Sequence, residues 1–132
     1  MTVGFTGTRN ISKVSKERLS QLEDQVMAIW IGNNFKVVAV HGGAIGADTL
    51  FHEICTNNDI PLHCRPAYVE TNLCGCDFEY FPEPPLSRNK KIVDDCDILI
   101  ALPIDPEVEE LRSGTWSTIR LARKVGKQII II

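Results

Sequence analysis

Val40-His41-Gly42-Gly43-Ala44-Ile45-Gly46-Ala47-Asp48 is the stretch on which the reading of this chain turns. It follows Val37-Val38-Ala39-Val40, an apolar run that reads as a buried strand. It precedes Thr49-Leu50-Phe51-His52-Glu53-Ile54-Cys55, which reads as a helix with Leu50, Phe51 and Ile54 on its inner face. A strand, a glycine-rich turn and a helix make a candidate phosphate cradle. Glycines let the backbone approach a ligand, and the N–H groups and dipole of a helix start favour an anion. The spacing is neither G-x-G-x-x-G nor G-x-x-x-x-G-K-[ST], so the competing reading is a tight turn whose glycines merely adopt positive φ. The rest of the chain has to decide between them.

Outward from this turn, strands and helices alternate. Thr2-Val3-Gly4-Phe5-Thr6 reads as a short strand that empties into the polar turn Gly7-Thr8-Arg9-Asn10. Ser12 or Ser15 can cap the next helix, where Leu19, Leu22, Val26, Ile29 and Trp30 recur at helical steps. After the glycine turn and its helix, Ile60-Pro61-Leu62-His63-Cys64-Arg65 reads as a strand, and its proline suggests a sheet edge. Residues 66–85 read as a long irregular loop of prolines and aromatics, a candidate lid or subunit contact. A helix is expected from Leu86 to Asp95, then a strand at Asp97-Ile98-Leu99-Ile100-Ala101-Leu102. Ser113-Gly114-Thr115 opens a last helix with Trp116, Ile119, Ala122 and Val125 inward, before a final strand ending in four isoleucines.

This alternation predicts an α/β fold: a Rossmann-like parallel sheet of about five strands, order 3-2-1-4-5, with helices on both faces. The 132 residues are read as one domain spanning 1–132. A formal net charge of -3 argues against general electrostatic affinity for nucleic acid or anionic membrane. No stretch has the length of a membrane span, and strand-like sequence begins at Thr2, so no signal peptide is expected. Five cysteines, an odd number, read as reduced thiols in a cytoplasmic protein. Cys64, Cys74, Cys76 and His63 invite a metal reading. Their spacing lacks the usual C-x2-C pair, so free thiols and no metal are expected.

In a sheet of this order, ligands bind beyond the strand carboxyl ends at the switch point. Gly7, Thr8 and Arg9 follow the first strand; Gly42, Gly43, Ala44, Gly46 and Asp48 follow the second. Ser113, Gly114 and Thr115 open the last helix, and Arg88 and Asn89 sit near the start of the helix before it. Their convergence predicts a site for a phosphate-bearing ligand, with Arg9 and Arg88 as counter-charges. Each has a plainer alternative. Arg9, Arg88 and Lys90 can solvate a surface, Ser113 and Thr115 can be caps, and Trp116 belongs to the core. Asp48 can favour a helix start or accept a ribose hydroxyl, and His41 can be packed or functional.

Several of these segments resemble one family. His41-Gly42-Gly43-Ala44-Ile45-Gly46-Ala47-Asp48 resembles the SGGARGID-type turn of the DNA-processing protein DprA (Smf), with Ile45 where arginine is usual. Ser87-Arg88-Asn89-Lys90-Lys91-Ile92 resembles its RNRII segment, and Asp97 to Ala101 with Ser113 to Ile132 resembles its last strand-helix-strand unit. The chain is thereby similar to the SLOG superfamily, which joins DprA to the LOG phosphoribohydrolases, and to its small stand-alone YspA-like members. The resemblance implies capture of a nucleotide or nucleotide-derived ligand such as an ADP-ribose-like compound, as a sensor or sequestering protein. It also implies homo-oligomers; separately, no cofactor is expected. Two alternatives follow from the same resemblance. LOG enzymes cleave an N-glycosidic bond of nucleoside monophosphates using a P-G-G-x-G-T-x-x-E glutamate. Thr118 stands at that position here, so Asp48 or Glu83 would have to supply the carboxylate. DprA binds single-stranded DNA, for which loop aromatics could stack bases.

Overall fold

The structure, a computed structural model, describes residues 1–68 and 75–132. Among these, six strands form one parallel sheet: β1 (Thr2–Gly7), β2 (Val38–His41), β3 (Leu62–Cys64), β4 (Phe78–Glu79), β5 (Ile98–Leu102) and β6 (Gln128–Ile131). The helices are α1 (Lys16–Gly32), α2 (Ala47–Asn57), α3 (Pro85–Asp95) and α4 (Gly114–Lys124). The sheet order is β4-β3-β2-β1-β5-β6. The chain leaves β1 toward β2 and returns to its other side as β5, so the switch point falls between β1 and β5.

Period-two alternation splits the core in two. Val3, Phe5, Ala39, Ile100 and Leu102 turn to one face and pack with Leu22 and Val26 of α1 and Phe51, Ile54 and Cys55 of α2. Phe5 and Phe51 stack with ring centroids 4.5 Å apart. Val40 and Leu99 turn to the other face, against Ile92, Val93, Cys96 and Ala122, and Ala101 meets Trp116 and Ile119. Gly4 lies under α3, where a Cβ would press on Cys96 and Ile92.

Local chemistry sets the element ends. Ser15 Oγ accepts the Arg18 N–H at 3.2 Å and caps α1. Pro85 occupies the first turn of α3, where its missing N–H costs nothing. The structure departs from the expectations in four details. The sheet gains a sixth strand, β4, because residues of the 66–85 segment pair with β3 at His63↔Phe78 and Cys64↔Glu79. Pro61 therefore does not mark the sheet edge. It lies just before β3 and its carbonyl accepts the Ala39 N–H, a role that needs no donor. Val125 follows the last turn of α4 and is exposed, not inward. The described residues of the 66–85 segment also carry a parallel bridge, Ala67 to Glu83, and residues 69–74 of the expected loop lie outside the described residues. Among the described residues no helix is long and apolar enough to cross a membrane.

Candidate functional site

The turn after β1 is laced between its neighbours. Thr8 N–H donates to Leu102 O of β5 and Thr8 O accepts from Ala47 N–H of α2, both at 2.9 Å. Gly46, at φ +87°, permits this closeness, because any Cβ there would strike the Arg9 backbone. The polar turn and the glycine turn thus form one rigid rim.

The glycine turn is folded on itself. Gly43 N–H donates to His41 Nδ1 at 2.9 Å, and Ala44 N–H donates to Asp48 Oδ2 at 3.1 Å. Asp48 is buried and supplies a negative group to the turn from within. The expectation of N–H groups left open for phosphate is therefore corrected at Gly43 and Ala44, whose donors have internal acceptors. Burial pushes the Asp48 carboxyl up to about 6, opposed by the Ala44 N–H and by the guanidinium groups of Arg88 and Arg9.

Arg88 is not a surface cation. It is buried, its Nη1 donates to Gly42 O at 2.7 Å, and its Nε donates to Asn89 Oδ1 at 2.7 Å. Gly42 leaves room for that guanidinium, which a Cβ there would force to shift. Burial lowers the Arg88 pKa and Asp48 raises it back. Lys90 points to solvent, and Lys91 pairs with Glu83 at 2.7 Å.

The α4 start differs. Ser113 Oγ accepts the Trp116 N–H at 3.3 Å, a cap in the sequence-expected place. Gly114 is exposed, and a Cβ there would meet nothing within 4 Å. The first N–H groups of a helix have no intrahelical acceptor, so those of Gly114 and Thr115 are offered outward.

These parts border one cleft of about 190 Å³ at the carboxyl ends of the strands. Of the sequence-named residues, Gly7, Thr8, Arg9, Gly42, Ala44, Asp48, Arg88, Asn89, Ser113, Gly114 and Thr115 line it. Gly43 and Gly46 do not; they shape the turn from beneath. Phe5, Thr6, Pro85 and Ile92 complete the lining. The starts of α3 and α4 both open on this cleft, so its electrostatics favour a negative group. Glu83 is absent from the lining and is held by Lys91 and by Ser87 Oγ. Thr118 is fully buried and its hydroxyl donates to Gly114 O at 2.9 Å, a helix-internal role. Neither supplies a carboxylate to the cleft.

The 66–85 aromatics do not pack the segment down as one unit. Tyr68, Phe78 and Phe81 are exposed, while Tyr80 lies under the Arg65 guanidinium, 3.6 Å from its ring centre. Arg65 is itself paired with Asp95.

Two features escaped the sequence. Arg18 donates to the carbonyls of Ile104 (2.6 Å), Pro103 (2.5 Å) and Ile132 (2.6 Å), clamping the segment that leaves β5. His41 Nε2 lies 3.0 Å from His52 Nδ1, and Cys76 Sγ lies 4.0 Å from the same atom. Burial holds His41 far below the usual imidazole range, at about 3, with His52 and Arg88 adding to the effect. Among the described residues this trio is the group of donors placed to hold a metal ion. The cluster of Cys64, Cys74, Cys76 and His63 is not formed as imagined. His63 stands among Phe78 and Tyr80, and Cys74 lies outside the described residues. The helical step from Asp48 to His52 and Cys55 was the available signal for His52.

No protein-family model and no curated protein matches this sequence. Solved structures do. DprA from Streptococcus pneumoniae aligns with a TM-score of 0.72 at 21% identity, over 98% of this chain and 49% of that one. The molybdenum cofactor binding protein from the phototrophic bacterium Rippkaea orientalis aligns with a TM-score of 0.74 at 19% identity, over 98% and 74%. The Moco carrier protein from Chlamydomonas reinhardtii gives 0.67 at 14%, over 99% and 75%. The chain thus spans about half of that DprA and about three quarters of the two cofactor proteins. The likeness is one of fold: a Rossmann-like parallel sheet covered by helices.

Proposed function

We propose that the cleft captures a small phosphate-bearing molecule, a nucleotide or a nucleotide-derived compound. The observation that carries this reading is the meeting of the α3 and α4 starts with Arg9 and Arg88 around one cleft. The anion is assigned to the α4 side, against the Gly114 and Thr115 N–H groups, because the glycine turn already holds Asp48. With Nη1 and Nε of Arg88 committed, its Nη2 is the donor left to a ligand. The cleft is smaller than the ~300–1,000 Å³ of pockets that enclose drug-sized ligands. It suits a phosphorylated sugar, with any base or pterin lying along the mouth. The structural neighbours that bind a molybdenum cofactor agree with small-ligand capture in this fold, and DprA supplies the contrast of a DNA-processing protein.

Mass spectrometry of molecules released on denaturing the purified protein, followed by calorimetry with inorganic phosphate, AMP and ADP-ribose, tests this. Binding that falls roughly 10- to 100-fold in Arg9→Ala, the loss of one charge-assisted hydrogen bond, is the expected result. No released ligand and no binding of any of the three at millimolar concentration would overturn it. Salt-sensitive binding of oligonucleotide alone would move the protein to the DNA reading.

A second reading rests on Asp48. A buried carboxyl raised to about 6 at a ligand cleft is what a general acid needs, and N-glycosidic cleavage is the reaction it would serve. Release of free base from a nucleoside monophosphate, abolished by Asp48→Asn, would establish it. Ligand returned intact would leave capture alone.

A further inference from the structure

We propose that His41, His52 and Cys76 form a binding site for a zinc-type ion beneath the glycine turn. The ligand atoms of the first three all lie within 4.8 Å of one another. They arrive from separate elements: His41 from the end of β2, His52 from α2, and Cys76 from the segment before β4. A tetrahedral ion with metal–nitrogen bonds of about 2.0–2.1 Å and metal–sulfur bonds of about 2.3 Å holds its donors roughly 3.3–3.6 Å apart. The measured separations from His52 Nδ1 are 3.0 Å to His41 Nε2 and 4.0 Å to Cys76 Sγ. Shifts of a few tenths of an ångström bring both to the required edge.

Cys64 is buried at the end of β3 and packed against Gly43, outside the donor trio. The trio supplies two imidazoles and one thiol, three protein ligands to a four-coordinate ion whose fourth position takes water or an exogenous group. Thiolate and imidazole together select such ions over magnesium or calcium, which prefer oxygen. Of the described thiols, Cys55, Cys64 and Cys96 do not belong to the trio.

Loading has a definite proton balance. The Cys76 thiol releases its proton to solvent as the sulfur–metal bond forms. His41 binds through Nε2, so its ring proton moves to Nδ1, and the Gly43 N–H that now donates there turns away. Two neutral hydrogen bonds, Gly43 N–H to His41 Nδ1 and His41 Nε2 to His52 Nδ1, are exchanged for two metal–nitrogen bonds. The site lies behind the turn and shares none of its ligand atoms with the cleft.

The experiment uses the whole chain, stripped with a chelator under reducing conditions. Zn2+ is titrated against a chromophoric chelator, and Co2+ is then added as a spectroscopic probe. One Zn2+ per chain is expected, and a Co2+ adduct with the thiolate charge-transfer band and intense visible bands of four-coordinate cobalt. Cys76→Ser and His52→Asn should each weaken Zn2+ binding by about 100-fold or more, whereas Cys55→Ser should leave it unchanged. Far-UV circular dichroism of each metal-free variant checks that it folds, and the wild-type cobalt spectrum stands independently of the variants. Six-coordinate cobalt without a thiolate band, or Zn2+ held equally well by folded Cys76→Ser, would overturn the proposal.

Discussion

The turn after β2 and the start of α4 border the same cleft, and they manage their backbone donors in opposite ways. In the first, Gly43 N–H goes to His41, Ala44 N–H to Asp48 and Ala47 N–H to Thr8 O. In the second, Ser113 takes the N–H groups of Trp116 and Ser117, and those of Gly114 and Thr115, which line the cleft, have no intrahelical acceptor. The glycine-dense stretch is thus the closed one, and the less conspicuous Ser-Gly-Thr is the open one. Glycines report where backbone must turn sharply or pass close to something. They do not report whether the space created is left for a ligand. Here the something is the Arg88 guanidinium at Gly42 and the Arg9 backbone at Gly46.

Substituting the closed turn gives the largest expected effect. Gly46→Ala places a methyl group on the Arg9 backbone at φ +87°, which combines a left-handed strain with a clash that no rotamer can relieve. A loss of about 3 kcal/mol or more in urea unfolding is expected, or failure to fold. A loss below about 1 kcal/mol would mean that the turn is loose, and the contrast with α4 would collapse.

Asp48→Asn comes next, and its sign is opposite. In the folded protein the Asp48 carboxyl titrates at about 6, against 3.8 for the free group. The folded state therefore binds its proton more tightly than the unfolded state. The stability this gives is fully present below about pH 4 and is lost as pH rises through about 6. At pH 7 the ionised, buried carboxylate costs about 3 kcal/mol, so Asp48→Asn should stabilise the protein there by an amount of that order. The difference between wild type and variant should vanish toward pH 4. A variant less stable than wild type at pH 7 would show that the carboxylate holds the turn closed more strongly than its burial opposes it.

How much of this was legible follows from where each partner lies in the chain. The alternation of Ile98, Leu99, Ile100, Ala101 and Leu102 and the helical spacing around Leu22 and Val26 are local signals, and they gave the layered sheet and its order. The Ser113 cap is also local, because its acceptor and donor are three residues apart. Eleven of the named positions line one cleft, since the topology brings strand ends together whatever the side chains do. What stayed hidden depends on distance. Arg18 clamps carbonyls 85, 86 and 114 residues away. Arg88 reaches Gly42 across 46 residues. β4 has two exposed residues and no alternation to read.

A smaller effect probes the α4 side from within. Thr118 is buried and its hydroxyl donates to Gly114 O. Thr118→Val keeps the shape and removes that bond, so a loss of about 1 kcal/mol is expected in unfolding. Ligand affinity should hold within about twofold, because the hydroxyl faces the helix and not the cleft. An affinity change of about tenfold or more, roughly 1.4 kcal/mol, would mean that the Gly114 backbone shifts with it and that the open turn is less fixed than the closed one.

The smallest effect on stability is expected at Gly114, and it is the sharpest test of the contrast. Its Cβ would meet nothing within 4 Å. Replacing glycine with alanine at the start of a helix lowers the entropy of the unfolded chain, so Gly114→Ala should leave stability unchanged or raise it by up to about 1 kcal/mol. The same substitution at Gly46 is expected to be ruinous. The added methyl at Gly114 stands beside the open N–H groups, however, and an anion held there has to move away from it. Phosphate or nucleotide affinity should fall by roughly tenfold, or about 1.4 kcal/mol, in a protein that folds as well as before. Affinity unchanged in Gly114→Ala, but lost in Arg9→Ala, would shift the anion from the helix start to the two arginines. The α4 turn would then be open without being used.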